Sequence, residues 1–179
     1  MLHNLDDATF RQMLECHTVA PFRLARAAAP YMRIKDESKR ENRSITNIGS
    51  TSGNHGNVGQ INYAAAKSSL IGITRTIAKE WGPFGVRCNM VAFGWIDTRL
   101  TQSKDSGATI EIDGKKVPLG IPGRSAAGAS KPSVNVTADI PLGRPGRPEE
   151  AAGPILFMAS GLAGYVSGQI LEVTGGRMI

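Results

Sequence analysis

Apolar residues return along the chain with two different periods, and the order in which those periods alternate predicts the architecture. From Asn62 to about Trp81 the apolar positions are Ala66, Leu70, Ile73, Ile77 and Trp81, a spacing that predicts a helix lying on a sheet. Pro83 and Gly85 close that helix. Residues 44–49 before it and Val86 to Ala92 after it are short apolar runs that read as strands. Upstream, Asp6 and Asp7 precede Phe10, Met13, Leu14 and Cys16, which predicts an N-capped helix with ordinary core positions. Pro21 either kinks that helix or begins a second one, for which Phe22, Leu24, Ala28, Tyr31 and Met32 supply the apolar positions before a polar loop at 33–43. Near the C-terminus, Pro148-Glu149-Glu150 opens a helix through Ile155, Leu156 and Met158. Val166 to Thr174 is the last strand, ended by Gly175-Gly176. Strand, helix, strand, helix, strand is the grammar of an α/β fold: a parallel sheet with right-handed crossovers, in one domain over residues 1–179.

The candidate chemistry sits between the first strand and the long helix. Residues 51–61 are rich in Gly, Asn and Ser and read as a loop that neither helix nor strand accommodates. Tyr63 and Lys67 follow at i and i+4, on one face of the helix that opens at Asn62. A cation beside a phenol favours the phenolate, so Tyr63 is a candidate proton donor or acceptor. Ser50, at the strand end, can aim its hydroxyl at the same space. The segment Phe93 to Thr98 lies at the C-terminal end of the next strand, where parallel sheets place ligand contacts.

Composition narrows the possibilities. The chain has 179 residues, 41% of them hydrophobic and 20% charged, as in an ordinary globular domain. Its charge of +6 is scattered, and the one basic cluster, Lys35 to Arg43, also carries Asp36, Glu37 and Glu41. A solvated loop explains that cluster better than a nucleic-acid patch, although the balance suits an anionic ligand. Cys16 and Cys88 are too few for a disulfide scaffold and lack metal-ligand spacing, so reduced, buried thiols and no metal are expected. His3 and His55 read as exposed loop or terminal residues. No apolar run reaches membrane-spanning length and the first residues lack a signal-peptide pattern, which points to the cytoplasm, or an organelle reached by other means, and away from a membrane partner. From about 100 to 145 the chain turns to Gly, Ser, Ala, Lys and Pro with little periodicity, the mark of a substrate-covering segment.

Ser50, Tyr63-Ala-Ala-Ala-Lys67, the Asn89-to-Thr98 turn, Pro-Leu-Gly-Arg-Pro-Gly-Arg-Pro-Glu-Glu at 141–150 and Val-Thr-Gly-Gly at 173–176 occur in that order. Together they resemble the C-terminal two thirds of a short-chain dehydrogenase/reductase, most closely the 3-oxoacyl-acyl-carrier-protein reductase branch. The resemblance implies a three-layer Rossmann-type fold, N-terminally truncated, with NAD or NADP as cofactor and a carbonyl such as a 3-oxoacyl thioester as substrate. It makes Tyr63 the general acid, Ser50 a hydrogen-bond donor to the substrate carbonyl, and Lys67 the holder of the nicotinamide ribose. It assigns the cofactor contacts after the second strand to Gly94, Ile96 and Thr98. His17 stands where most members have the Asn that anchors a proton-relay water, and an imidazole can serve that role. Phe93 stands where a Pro usually precedes Gly94. The family's Gly-x-x-x-Gly-x-Gly phosphate turn has no counterpart in the sequence. Two readings follow: an oxidoreductase, or a silent homologue acting as a dimerising domain. Helices 7–33 and 62–81 resemble the family's dimer-forming pair, which implies a homodimer or homotetramer. Without the family's preceding strands, the strand ending at Ser50 is expected to be an open, apolar sheet edge.

Overall fold

The apolar runs become strands lying side by side and in parallel. Strand β1 (Arg43–Ser50) pairs with β2 (Val86–Phe93), which pairs with β5 (Ile170–Val173), in the order β1-β2-β5. The structure, a computed structural model, describes residues 1–101, 107, 109–112, 114–118 and 137–178. Strand β2 has neighbours on both sides and is buried from Val86 to Ala92, as a central parallel strand must be. Its alternation sends Met90 and Ala92 to one face and Val91 and Phe93 to the other. On the first face they meet Leu70, Ile71 and Ile73 of α4 (Ile61–Trp81). On the second they meet Ile155 and Met158 of α5 (Pro148–Ala159). Helices therefore cover opposite faces of a three-stranded parallel sheet, the three-layer Rossmann-type arrangement that the resemblance implies.

The base of the sheet is tied by Arg87. Its guanidinium is 7% exposed and donates to Met158 O at 2.9 Å, Ser160 O at 3.0 Å and Asn42 Oδ1 at 3.0 Å. A cation on the last carbonyls of α5 satisfies groups that the helix itself leaves unpaired, and its charge opposes the dipole there. At the other end of α5, Glu150 accepts from the Arg147 amide at 2.9 Å and from both terminal nitrogens of Arg144 at 2.7 Å. These bonds hold the Glu150 carboxyl well below the usual carboxylate range.

Before the sheet, Asp6 caps α1 (Asp7–Leu14) by accepting from the Thr9 amide at 2.8 Å. Pro21 stands at the start of a second helix. A π-helical turn at Glu15–Val19 carries α1 directly into α2 (Ala20–Met32), with Pro21 in the first turn of α2. Pro21 has no N–H to continue the α ladder, and the wider turn absorbs the missing bond. Helix α1 and the π turn rest on α4. Phe22, Leu24 and Tyr31 lie on the outside of α2 at 47, 72 and 78% exposure, contrary to their predicted role as buried positions. Phe10, Met13 and Leu14 are only partly buried.

Three further expectations need correction. Thr51–His55 is not a loop but a short helix, α3, which Ser50 caps by accepting from the Ser52 amide at 3.2 Å. It lies against α4 because Gly53 has no side chain; a Cβ there would stand 2.8 Å from the Lys67 carbonyl carbon. Segment 100–145 is not uniformly irregular, since Thr109–Ile112 (β3) and Lys115–Pro118 (β4) form an antiparallel hairpin. The rest of the predicted substrate-covering segment, at 102–106, 108, 113 and 119–136, lies outside the described residues. Finally, Cys16 is exposed on the π turn; only Cys88 is buried, and desolvation pushes its thiol up to about 12. Among the described residues β1 and β5 are the sheet edges, and Ile48 on β1 is 43% exposed, which agrees with the expected open apolar edge.

Candidate active site

The site lies where β1 and β2 end and α3 and α4 begin. The parallel register sets Ser50 opposite Phe93, so the last residue of β1 and the start of the Gly94 turn come out at one level. Ser50 is extended and leaves the sheet there to cap α3, which fixes its hydroxyl at the top of the strand. Gly94 runs close against Thr174 after β5, where an added Cβ would lie 3.1 Å from the Thr174 Cα. The Gly94 amide also donates to Val173 O at 3.0 Å. A cleft of about 410 Å³ opens above these ends, and Ser50, Tyr63 and Gly94 all line it.

Lys67 stands behind Tyr63 and not on the cleft wall. It is 9% exposed, its ammonium lies 5.7 Å from the Tyr63 ring centroid, and it donates to Ile48 O on β1 at 2.8 Å. Burial pulls its pKa below the ordinary lysine value, with Cys16 opposing the shift. His17 meets Tyr63 edge-on from the other side, the ring centroids 5.4 Å apart and the planes at 88°. Burial, followed by the charge of Lys67, lowers the His17 pKa, so its imidazole is neutral at pH 7. The π turn that presents His17 is locked to α4 one residue further on. Thr18 Oγ1 donates to Ala66 O at 3.2 Å and meets Ser69 Oγ at 2.8 Å.

Ser50 and Tyr63 line the cleft, while Lys67 and His17 lie against the Tyr63 ring and off the cleft wall, so Lys67 does not share the cleft space expected from its i+4 spacing. Of the predicted cofactor contacts, Gly94 lines the cleft, whereas Ile96 lines an adjoining cavity of about 110 Å³ behind Trp95. The Thr98 amide donates to Thr101 Oγ1 at 2.8 Å, and the Thr101 hydroxyl donates in turn to Ile96 O at 2.6 Å, which folds the turn back on itself. The residues present fit the nicotinamide half of a dinucleotide: close backbone at Gly94, a buried lysine beside the tyrosine, and the C-terminal ends of parallel strands. No Gly-x-x-x-Gly-x-Gly run occurs in the sequence to hold its pyrophosphate. No cluster of metal-ligating side chains occurs among the described residues, and no described helix is long and apolar enough to cross a membrane.

Sequence reasoning missed several cleft residues, among them Gln60 and Arg177, whereas Trp95 lies in the segment 93–98 expected to meet a ligand. For Arg177 a signal existed: it directly follows Gly175-Gly176, and two glycines ending a strand turn the next side chain back over the sheet. His55 is exposed, as expected, and its Nε2 lies 2.7 Å from Glu172 Oε1, which also accepts from Asn54 at 2.6 Å.

Comparison with known proteins agrees with this geometry. A family model described as short chain dehydrogenase matches residues 1–109, and one described as Enoyl-(Acyl carrier protein) reductase matches residues 123–177. The chain is 38% identical over 158 residues to the 3-oxoacyl-[acyl-carrier-protein] reductase FabG of Thermotoga maritima, covering 88% of this chain and 52% of that protein. It is 34% identical over 178 residues to FabG of Escherichia coli, covering 98% and 60%. Human (3R)-3-hydroxyacyl-CoA dehydrogenase is 42% identical over 133 residues, or 74% of this chain and 42% of that protein. A crystal structure provisionally assigned as a betaketoacyl-ACP reductase superposes with a TM-score of 0.71 at 31% identity, over 97% of this chain and 61% of that one. The chain thus spans about half of the curated relatives it matches. The family match over most of the chain agrees with the strand-end serine and the tyrosine–lysine helix. The chain belongs to the short chain dehydrogenase family.

Proposed function

We propose that the protein is an NAD(P)-dependent oxidoreductase that reduces the carbonyl of a 3-oxoacyl thioester, with Tyr63 as general acid. The observation that carries this reading is the meeting of Ser50 and Tyr63 on one cleft, with Lys67 buried behind the tyrosine. The similarity to reductases and dehydrogenases of 3-oxoacyl and 3-hydroxyacyl thioesters supports the substrate class.

Reduction adds a hydride to the carbonyl carbon and a proton to its oxygen. When bound, the reduced nicotinamide is the source of the hydride. The chain supplies the rest. Ser50 Oγ accepts from the Ser52 amide, so its own proton can be given to the substrate oxygen. Tyr63 Oη transfers the proton to that oxygen, and the Lys67 ammonium offsets the negative charge left on the ring oxygen. Neutral His17 both donates and accepts, which suits it to return a proton toward Tyr63 from the exposed side of the π turn. Gly94 and Ile96 would hold the carboxamide side of the nicotinamide, Lys67 its ribose and Thr98 its phosphates.

The test is consumption of NADPH or NADH by the purified protein with an acetoacetyl thioester, measured alongside formation of the 3-hydroxy product. One hydroxy product per cofactor oxidised is the expected result. Absence of turnover with either cofactor would overturn the reading, and failure to bind either in a titration would favour a silent homologue. The proposal extends to a homodimer or homotetramer joined through α1, α2 and α4. Support comes from the apolar residues exposed on α2, and sedimentation velocity checks it.

A further inference from the structure

The catalytic cleft carries one charged group on its described wall, and that group is a cation. Arg177 lines it together with Ser50, Tyr63 and Gln60, and no carboxylate does. Lys67 and His17, the other basic groups nearby, sit around Tyr63 and off the wall.

Arg177 is held in place by a built turn. Gly175 and Gly176 both take left-handed backbone angles, with φ of 68° and 89°. A Cβ on Gly175 would meet Ile140 at 2.9 Å, and one on Gly176 would meet Pro141 at 2.9 Å. The Leu142 amide donates to Gly175 O at 3.1 Å, which clamps the turn to segment 140–142. Met178, next along the same wall, has φ of 72°, a conformation that side chains rarely accept and that concentrates at ligand sites.

The guanidinium is only partly engaged. Nη2 meets Asp139 Oδ2 at 2.6 Å, a pair with side chains 32 and 53% exposed. Nε is buried and has no hydrogen-bond partner. A guanidinium presents parallel donors to a planar oxyanion, and this one, ion-paired through Nη2 and with its side chain 32% exposed on the cleft wall, can meet such a group with its terminal edge. We propose that Arg177 anchors an oxyanion of the substrate, a carboxylate or a phosphate placed away from the reacting carbonyl, with Asp139 holding the guanidinium until it binds. The cleft then selects anionic 3-oxo substrates over neutral ones of the same shape. This rests on the reading of the cleft as a carbonyl-reducing site.

Matched pairs of substrates test it: acetoacetyl pantetheine against its 4′-phosphate, and the diethyl ester of 3-oxoglutarate against its monoethyl ester. The first pair reads a phosphate and the second a carboxylate. In the wild type at least one anionic member should exceed its neutral partner about tenfold in kcat/KM, through KM. Arg177→Gln should remove that advantage and leave the neutral substrates within about threefold. Arg177→Lys should keep part of it, and Asp139→Asn should increase it. Circular dichroism checks that each variant is folded, and Asp139→Asn carries the test should Arg177→Gln not fold.

The anchor is overturned by wild-type protein that prefers neither anionic probe, or by Arg177→Gln keeping the preference. In either case Tyr63-dependent reduction of the neutral substrates would leave the reductase reading standing. Calorimetry separates the opposite case. Anion binding that is lost in Arg177→Gln, in a protein that turns over nothing, supports the anchor and removes the reductase reading.

Discussion

Two buried cations sit at opposite ends of the sheet, and their bonding differs. Arg87, at the start of β2, is 7% exposed and Lys67, beneath the end of β1, is 9% exposed. Neither pairs with a carboxylate among the described residues, and both donate to backbone carbonyls. Arg87 commits three of its five N–H donors to two carbonyls and an amide oxygen, which ties the end of α5 to the base of the sheet. Lys67 has three donors and one described acceptor, and desolvation lowers its pKa. A cation tied to three acceptors on separate segments is a strut. An under-bonded, titratable one beside a tyrosine is machinery, and burial alone would not have told them apart.

Substitution at each end breaks that comparison if it is wrong. Lys67→Met should lower turnover by about 10² or more, since it removes the charge behind the proton donor, while leaving the fold intact. Rate assays and urea unfolding on the same preparation check both halves. Arg87→Met should do the reverse. Stripping three acceptors of their donor should cost about 2–3 kcal/mol in urea unfolding and leave turnover per folded molecule within about threefold. Comparable stability losses in the two variants would end the distinction.

Gly53→Ala sharpens it. The new Cβ would press on the backbone at Lys67, so a loss of about 1–3 kcal/mol is expected together with reduced turnover, because α3 must lift from α4 at the lysine. The smallest effect is on pH dependence. The folded-state pKa of Lys67 is depressed, so between that value and about 10.5 the unfolded chain binds more protons, and folding stability rises with pH across that window. Lys67→Met should therefore be more stable than wild type at pH 7, with the gap closing as pH rises. His17 has the same sign in its own window: wild type should lose stability relative to His17→Asn as pH falls below 6.5. Titration of urea midpoints reads both.

What the sequence made legible follows the strength of its periods. The stripe Ala66, Leu70, Ile73, Ile77 and Trp81 gave α4 and hence the shared face of Tyr63 and Lys67. The apolar runs gave β1 and β2, and their ends gave Ser50 and Gly94. Helix α3 was hidden because its five residues are poor helix formers, and it exists through a serine cap and the close approach of Gly53 to α4. The π turn was hidden because Pro21 advertises a break without saying how the chain will bridge it. Phe22, Leu24 and Tyr31 were misplaced because an apolar stripe says that a face will be covered, not by what. Arg177 was invisible to periodicity altogether, since a turn of two glycines, not a helix or strand, directs it.

The central claim is that Tyr63 gives the proton in carbonyl reduction. The most direct measurement compares wild type and Tyr63→Phe for turnover of an acetoacetyl thioester and, on the same samples, for cofactor binding. The expected result is turnover reduced by at least about 10² with cofactor affinity within a few-fold of wild type. Turnover retained in Tyr63→Phe would contradict the account.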